Sequence, residues 1–147
     1  MKLSHSESVK LQHAIEVAIE AHRDQKRSNG TPYICHPMRV MESVKGFGYE
    51  TMCAAVLHDV IEDSSSFTLE DMRAAFGPNI ADAVKILTKD DRPYDQYIIK
   101  ISTNKIAKRV KIADLKDNLN LIELAKFREH EAKRVHKYLI ALKTLEQ

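Results

Sequence analysis

Apolar residues recur along this chain mainly at spacings of three and four positions, which is the period of an α-helix. In the first segment, for example, Leu11, Ile15 and Ala18 fall on one helical face. No stretch shows the clear alternation of apolar and polar residues that a half-buried strand requires. Only 4 glycines and 4 prolines interrupt the chain. The pattern therefore predicts an all-α protein.

The boundaries of the predicted helices follow from breaks in this periodicity and from residues that favour helix ends. Thr68 with Asp71 three positions later predicts a capping box, and Gly77-Pro78 predicts the start of the next helix. The last helix is expected to bury Val135, Leu139 and Leu142. The expected helices cover residues 6–23, 37–45, 50–61, a short segment after Thr68, a segment carrying Ile80, Val84 and Leu87, and then 94–102, 104–122 and 128–145.

The length and charge of the chain limit the number of domains and the kinds of partner that we expect. A chain of 147 residues fits one domain with a real core, so we expect a single helical bundle over residues 1–147. With 23 basic and 21 acidic residues, the net charge of +2 gives no reason to expect nucleic acid or a membrane as the main partner. No run approaches the roughly 20 apolar residues of a membrane span. We therefore expect a cytoplasmic protein, and a homo-oligomer remains compatible with the sequence.

Four ionisable side chains crowd into the hexapeptide at positions 58–63. If this segment is helical, His58 and Glu62 lie one turn apart, and so do Asp59 and Asp63. Three carboxylates this close to apolar packing repel one another and lose hydration, unless a cation or a proton compensates. A divalent ion held by His58 and Asp59 supplies that compensation. From these residues alone, the alternative is a solvated acidic helix end.

Two further side chains complete a candidate ligand set. His36 lies just before Pro37, which suits the first position of a helix. Asp114 continues an apolar helical stripe and needs a partner; an ion pair with a nearby lysine is the alternative there, and a capped or surface histidine is the alternative for His36. Together with His58 and Asp59 they form a set of two histidines and two aspartates. Such ligands without thiolate favour a six-coordinate ion such as Mn²⁺ or Fe²⁺, with about two positions open for water and substrate.

The order of these residues resembles the H…HD…D signature of HD-domain metal-dependent phosphohydrolases. The segments 21–27 (AHRDQKR), 30–37 (GTPYICHP), 57–63 (LHDVIED) and 110–118 resemble, more closely, the hydrolase domain of Rel/Spo-type alarmone enzymes. The likeness covers roughly residues 14–122 in the same order. It implies an HD-domain helical bundle that acts as a small, free-standing alarmone hydrolase without a synthetase half.

The resemblance implies release of pyrophosphate from the 3′ position of (p)ppGpp, leaving GDP or GTP. It implies one bound Mn²⁺, with Fe²⁺ or Co²⁺ as alternatives, and two carboxylates that orient and deprotonate the attacking water. A metal and a nearby carboxylate suit this chemistry in general terms, because one activates water and the other takes its proton. The implied metal ligands are His36, His58, Asp59 and Asp114, and the implied catalytic carboxylates are Glu62 and Asp63.

The resemblance also implies contacts with the substrate. Arg27 matches the family arginine that lies against the guanine ring, and Asn118 matches the asparagine near the ribose and phosphates. If the first helix extends far enough, Arg23 and Lys26 share a face with Arg27 and form an electropositive rim for a polyphosphate. The alternative for Arg23 and Lys26 is a solvated basic face.

Three positions at the substrate rim depart from the family pattern. Ser28 stands where many alarmone hydrolases have a lysine, and Asn120 and Leu121 stand where they often have an arginine and a threonine. These departures leave open a second reading, an HD phosphohydrolase for (p)ppApp, NADPH or a nucleoside monophosphate. A third reading, from a different class, is a catalytically silent module that binds alarmone.

Overall fold

The computed structural model describes residues 2–120 and 129–147, and in those ranges the chain forms helices and no strand. The prediction of an all-α protein is confirmed. The helices are α1 (His5–Ala21), α2 (Cys35–Ser43), a 3₁₀ turn (Lys45–Phe47), α3 (Tyr49–Leu57), α4 (Val60–Asp63), α5 (Leu69–Phe76), α6 (Pro78–Leu87), α7 (Tyr94–Ser102), α8 (Lys105–Asn120) and α9 (Glu129–Leu145).

The start of α5 shows how local chemistry defines these boundaries. Thr68 Oγ1 accepts a hydrogen bond from the backbone N–H of Asp71 at 3.1 Å, and Asp71 Oδ2 accepts one from the N–H of Thr68 at 2.9 Å. This is the predicted capping box, which satisfies two backbone donors that the helix itself leaves unpaired. The chain then turns into α6 at Gly77, whose φ of 87° is costly for residues with a Cβ atom.

Helix α3 lies at the centre of the fold. Every residue from Thr51 to Leu57 is buried, and the helix packs against α1, α2, α6 and α8. Burying one large aliphatic side chain contributes about 1.5–3 kcal/mol, so the apolar part of α3 is a major source of stability. Because α3 is surrounded by other helices, the residues that follow Leu57 emerge inside the protein and not at its surface.

The predicted continuous helix over residues 50–61 is wrong, because the chain breaks between α3 and α4. Asp59 occupies the break, with φ −104° and ψ 0°. The ring of His58 bonds the carbonyl oxygen of Ala55 from Nδ1 at 2.6 Å, so this side chain takes an acceptor that a continuous helix would use for its own backbone. His58 and Asp59 therefore project from a bend.

Other helices also differ in detail from the prediction. Helix α1 ends at Ala21, two residues before the predicted end, and Asp24 then has a φ of 63°. Helix α2 begins at Cys35, so Pro37 is its third residue. Pro37 is tolerated there because backbone N–H groups of the first turn have no partner within the helix.

In the final helix, α9, one residue that was predicted to be buried is exposed. Leu139 was expected on the inner face, but its side chain is 54% exposed. Ala141, Leu142 and Leu145 are buried, and Tyr138 packs against them as a half-buried neighbour. Across residues 2–120 and 129–147, no helix combines the length and apolar character needed to cross a lipid bilayer.

The orientation of α9 can be tested with two substitutions one turn apart. We expect Leu142→Ala to lower the free energy of unfolding by about 2 kcal/mol or more, because it removes buried methyl groups and leaves a cavity. We expect Leu139→Ala to change it by less than about 0.5 kcal/mol, as for other exposed positions. Urea unfolding of the two variants measures both values, and equal losses would contradict the orientation.

Candidate functional site

Three buried residues from three helices meet beside the end of α3. His36 lies in the first turn of α2, His58 directly follows α3, and Asp114 lies on α8. Because α2 and α3 both pack against α8, residues far apart in the sequence come together. One possible ligand atom from each of the three lies within 4.8 Å of the other two. The structure thus brings together three of the four predicted metal ligands.

The distances within this cluster suit a single ion. Asp114 Oδ1 lies 2.9 Å from His36 Nε2 and 3.5 Å from His58 Nε2. Asp59, the fourth predicted ligand, is adjacent, with Oδ2 3.0 Å from His58 Nε2. Two ligand atoms about 2.1 Å from one ion and at right angles to each other are about 3 Å apart. The donor set is compatible with a divalent metal site.

The hydrogen bonds of both histidines direct Nε2 toward the cluster. His58 uses Nδ1 to donate to the carbonyl of Ala55, which can only accept. His36 Nδ1 lies 2.7 Å from Asp117 Oδ2, and Arg39 also binds that carboxylate. A carboxylate or carbonyl behind an imidazole is the usual way in which proteins orient a metal-ligating histidine. In the described part of the chain, the buried Nε2 of His58 faces carboxylate oxygens of Asp59 and Asp114 but makes no well-aligned hydrogen bond, which fits a cation ligand.

Asp114 is surrounded by several charged groups. Lys111 Nζ binds Asp114 Oδ2 at 2.9 Å, so the predicted lysine ion pair exists alongside the histidine contacts. Burial alone would raise the pKa of Asp114, but Lys111 and the two histidines hold it well below its ordinary value. Burial alone would lower the pKa of His58, but the charges of Asp59 and Asp114 raise it well above its ordinary value. A proton on His58 therefore compensates the carboxylates when no cation does so.

Tyr33 is a site residue that the sequence reasoning missed. Its hydroxyl donates a hydrogen bond to Asp59 Oδ2, and its ring lies against the rings of His22 and His36 at centroid distances of 4.9 and 5.8 Å. Burial opposes the charge of Asp59, but His58 and this hydroxyl lower the pKa of Asp59 to about 2. The signal available in the sequence was the position of Tyr33, three residues before His36.

The two predicted catalytic carboxylates lie in different surroundings. Glu62 borders a cavity of about 150 Å³ that His58 and Asp59 also line, and its Oε1 accepts a hydrogen bond from the backbone N–H of Lys89 at 2.6 Å. Partial burial raises the pKa of Glu62. Asp63 is not among the residues that line this cavity; its Oδ2 accepts a hydrogen bond from Gln25 at 3.1 Å.

Positively charged side chains also line this cavity, which we call the catalytic cavity. Three lysines line it, each from a different part of the chain, together with aromatic and polar side chains. A cavity lined by ammonium groups and lying beside a possible metal site is suited to a phosphate-bearing ligand. Besides His58, Asp59 and Glu62, the lining residues are Leu87, Lys89, Tyr94, Tyr97, Lys111, Asn118, Lys137 and Tyr138.

Two of the predicted substrate contacts lie together at the site. Arg27 donates a hydrogen bond to Asn118 Oδ1 at 3.1 Å, and its guanidinium carbon is 5.5 Å from the centre of the Tyr33 ring. Asn118 Nδ2 donates to Asp114 Oδ1 at 3.3 Å. Arg27 is therefore linked through Asn118 to the cluster of His36, His58 and Asp114.

The other two predicted contacts are less closely placed. Arg23 is 62% exposed and forms an ion pair with Glu20 at 2.6 Å. Lys26 is exposed and contributes a backbone bridge to Pro32. The shared helical face with Arg27 was conditional on a longer first helix, and that condition is not met, because α1 ends at Ala21. Of the departures from the family pattern, Ser28 is exposed and Leu121 lies outside the described residues.

The fold and this site define the class of protein, and a family comparison agrees. The HD domain family matches residues 14–113. The chain therefore belongs to the HD-domain family, which confirms the resemblance seen in the sequence.

Among its relatives are named alarmone enzymes. The chain is 33% identical over 144 residues to the guanosine-3′,5′-bis(diphosphate) 3′-pyrophosphohydrolase of Aquifex aeolicus, covering 90% of this chain and 20% of that protein. It is 44% identical over 86 residues to the bifunctional (p)ppGpp synthase/hydrolase SpoT of Escherichia coli K12, covering 56% of this chain and 12% of that protein. The chain thus spans a fifth or less of the length of these two relatives.

A solved structure supports the fold. It is described as a metazoan ortholog of SpoT that hydrolyses ppGpp and plays a role in starvation responses. The TM-score is 0.77 at 23% sequence identity, and the match covers 99% of this chain and 88% of that chain. At this identity the likeness concerns the arrangement of the helices.

The raised pKa of His58 predicts that protons compete with the metal. Below that pKa the imidazole must lose a proton before Nε2 can bind an ion, so Mn²⁺ binding at neutral pH should release about one proton and weaken as the pH falls. Calorimetric titration with Mn²⁺ in buffers of different ionisation enthalpy measures the protons released. Binding without proton release at neutral pH would contradict this account of the cluster.

Proposed function

We propose that this protein is a metal-dependent 3′-pyrophosphohydrolase that converts (p)ppGpp to GDP or GTP and pyrophosphate. The observation that carries the proposal is the buried cluster of His36, His58 and Asp114 beside a cavity with cationic walls. Membership of the HD-domain family and the names of the relatives support the same reaction.

Four residues would hold the metal: His36, His58, Asp59 and Asp114. We propose Mn²⁺ because imidazole and carboxylate donors without thiolate suit it; Fe²⁺ and Co²⁺ suit the same donors. The chemistry supplied by such an ion is a lowered pKa of water and polarisation of a phosphoryl oxygen. Tyr33 holds Asp59 in place through its hydroxyl, and Lys111 does the same for Asp114 through its ammonium group.

Glu62 is the proposed proton acceptor. Its Oε1 is occupied by the N–H of Lys89, so Oε2 is available to take a proton from the attacking water. Partial burial raises the pKa of Glu62 toward neutral pH, and a carboxylate with a higher pKa is a stronger base than an exposed glutamate. Asp63, held by Gln25, is proposed to orient the water or its hydrogen-bonding partners. The two carboxylates need not have equal roles.

The remaining proposed contacts concern substrate binding. Lys89, Lys111 and Lys137 bring positive charge to the catalytic cavity and would attract phosphate groups. Arg27 would contact the base, and Asn118 the ribose and phosphates. Arg23 and Lys26 would add positive charge at the rim, although Arg23 shares its charge with Glu20.

We further propose that residues 1–147 act as one HD-type unit in the cytoplasm. The described helices share one hydrophobic core, which supports a single unit. The proposed substrate is an intracellular nucleotide, which supports the location. The proposal requires neither nucleic acid nor a membrane as a partner, and it is compatible with a homo-oligomer.

A second candidate substrate class follows from one observation. Ser28, beside Arg27, lacks the positive charge of the lysine expected in many alarmone hydrolases. The same metal site could then serve (p)ppApp, NADPH or a nucleoside monophosphate, because the base contacts are less restrictive. The metal chemistry is the same in both cases.

Product analysis separates these substrates. The Mn²⁺-loaded protein is incubated with ppGpp, ppApp, NADPH and a panel of nucleoside mono- and triphosphates, each beside an EDTA-treated sample. We expect pyrophosphate and GDP from ppGpp, lost on chelation and restored by Mn²⁺. Release of orthophosphate from another nucleotide, with ppGpp left intact, would replace the proposed substrate.

Two substitutions separate metal binding from proton transfer. We expect Asp59→Ala to abolish both Mn²⁺ binding and turnover, because it removes a ligand. We expect Glu62→Gln to bind Mn²⁺ normally but to lower kcat by about 100-fold or more, because the amide cannot accept the proton. Glu70→Gln, an exposed glutamate on α5, is the matched control. Equal loss of Mn²⁺ from both site variants would refute this division of roles.

A further inference from the structure

Two neighbouring tyrosines on α7 differ in the hydrogen bonding of their hydroxyl groups. The rings of Tyr94 and Tyr97 are 5.9 Å apart. The Tyr97 hydroxyl donates a hydrogen bond to the carbonyl of Leu87 at 2.5 Å. The Tyr94 hydroxyl oxygen is also buried, yet among the described residues it has no hydrogen-bond partner. Buried tyrosine hydroxyls normally find one, because an unsatisfied group costs about 1–3 kcal/mol.

The groups near Tyr94 indicate which kind of ligand could accept a hydrogen bond from its hydroxyl. Tyr94 lines the catalytic cavity together with Glu62 and Lys111. Lys137 Nζ lies 4.4 Å from the centre of the Tyr94 ring, and no ion pair of Lys137 occurs in the described part of the chain. Lys111 is only 14% exposed and already pairs with Asp114. The Tyr94 side chain thus lies beside Lys137 and lines the same cavity as Lys111, so it is close to positively charged groups.

The protonation state of the Tyr94 hydroxyl limits the kind of ligand that it can bind. Burial raises the pKa of Tyr94, so the group keeps its proton and can donate at neutral pH. A hydroxyl donor beside ammonium groups calls for an acceptor that carries negative charge. The cavity volume of about 150 Å³ exceeds the share of about 30 Å³ that one water occupies in the liquid, so it has room for a phosphate group.

We propose that Tyr94 is a phosphate-binding residue, whose hydroxyl donates a hydrogen bond to a non-bridging phosphate oxygen in the catalytic cavity. This inference rests on the proposed function for the identity of the substrate. The ligand class is a phosphate or pyrophosphate group held in the cavity that His58, Asp59 and the three lysines line. Tyr97, whose hydroxyl is satisfied within the protein, has a structural role instead.

The test compares Tyr94→Phe with Tyr97→Phe, each of which removes one hydroxyl and keeps the ring. Calorimetric titration with inorganic pyrophosphate is done on the metal-loaded protein after unbound metal is removed, and urea unfolding is measured on the same samples. We expect Tyr94→Phe to weaken pyrophosphate binding about 10-fold or more, as for a hydrogen bond to a charged group. Its stability should be unchanged or higher, because an unsatisfied buried group is removed.

Tyr97→Phe should show the opposite pattern, with lower stability and a smaller loss of pyrophosphate affinity. Equal pyrophosphate affinity in wild type and Tyr94→Phe would overturn the proposal, and so would an absence of binding in the wild type. A loss of stability in Tyr94→Phe as large as that in Tyr97→Phe would also overturn it, because it would reveal an internal partner. If Tyr94→Phe weakens binding although ppGpp is not hydrolysed, the phosphate contact holds and only the proposed reaction fails.

Discussion

The site depends on one physical constraint: Asp114 places a carboxylate inside the protein, and something must compensate its charge. An isolated buried carboxylate would become protonated, because its charged form loses hydration. Here Lys111 binds one carboxylate oxygen, and His36 and His58 face the other. Asp59 adds a second negative charge close to His58. One lysine cannot balance both carboxylates, so the cluster requires a further cation, which is a proton on His58 or a metal ion.

The break after α3 gives this cluster its arrangement. Helix α3 is buried and ends directly before His58, so the cluster residues His58 and Asp59 follow a segment that the core holds in place. The bend at Asp59 places His58 and Asp59 beside Asp114. The next two carboxylates are adjacent residues of α4 and point in different directions, so Glu62 lines the catalytic cavity and Asp63 accepts a hydrogen bond from Gln25. Two adjacent residues thereby acquire different environments and can serve different roles.

The helical fold and the meeting of His36, His58 and Asp114 in one buried cluster could be predicted from the sequence. Helical periodicity is repeated along the chain, and the order of His36, the His58-Asp59 pair and Asp114 resembles the pattern of a known family, although each residue alone leaves other roles open. The exposure of Leu139 could not be predicted, because helical spacing alone does not fix which face of α9 meets the core. The same holds for Lys137 and Tyr94, which reach the cavity only through the packing of α9 and α7. Arg23 was expected at the substrate rim because α1 was expected to continue, whereas it ends at Ala21.

The most direct test of the central claim is to locate the metal itself. A crystal of the Mn²⁺-loaded protein, measured at the Mn absorption edge, gives the position of the ion from its anomalous scattering. The account predicts one peak about 2.1 Å from Nε2 of both His36 and His58, and from carboxylate oxygens of Asp59 and Asp114. A peak at any other place would contradict it. So would an ion at full Mn²⁺ loading that makes no contact with Asp114.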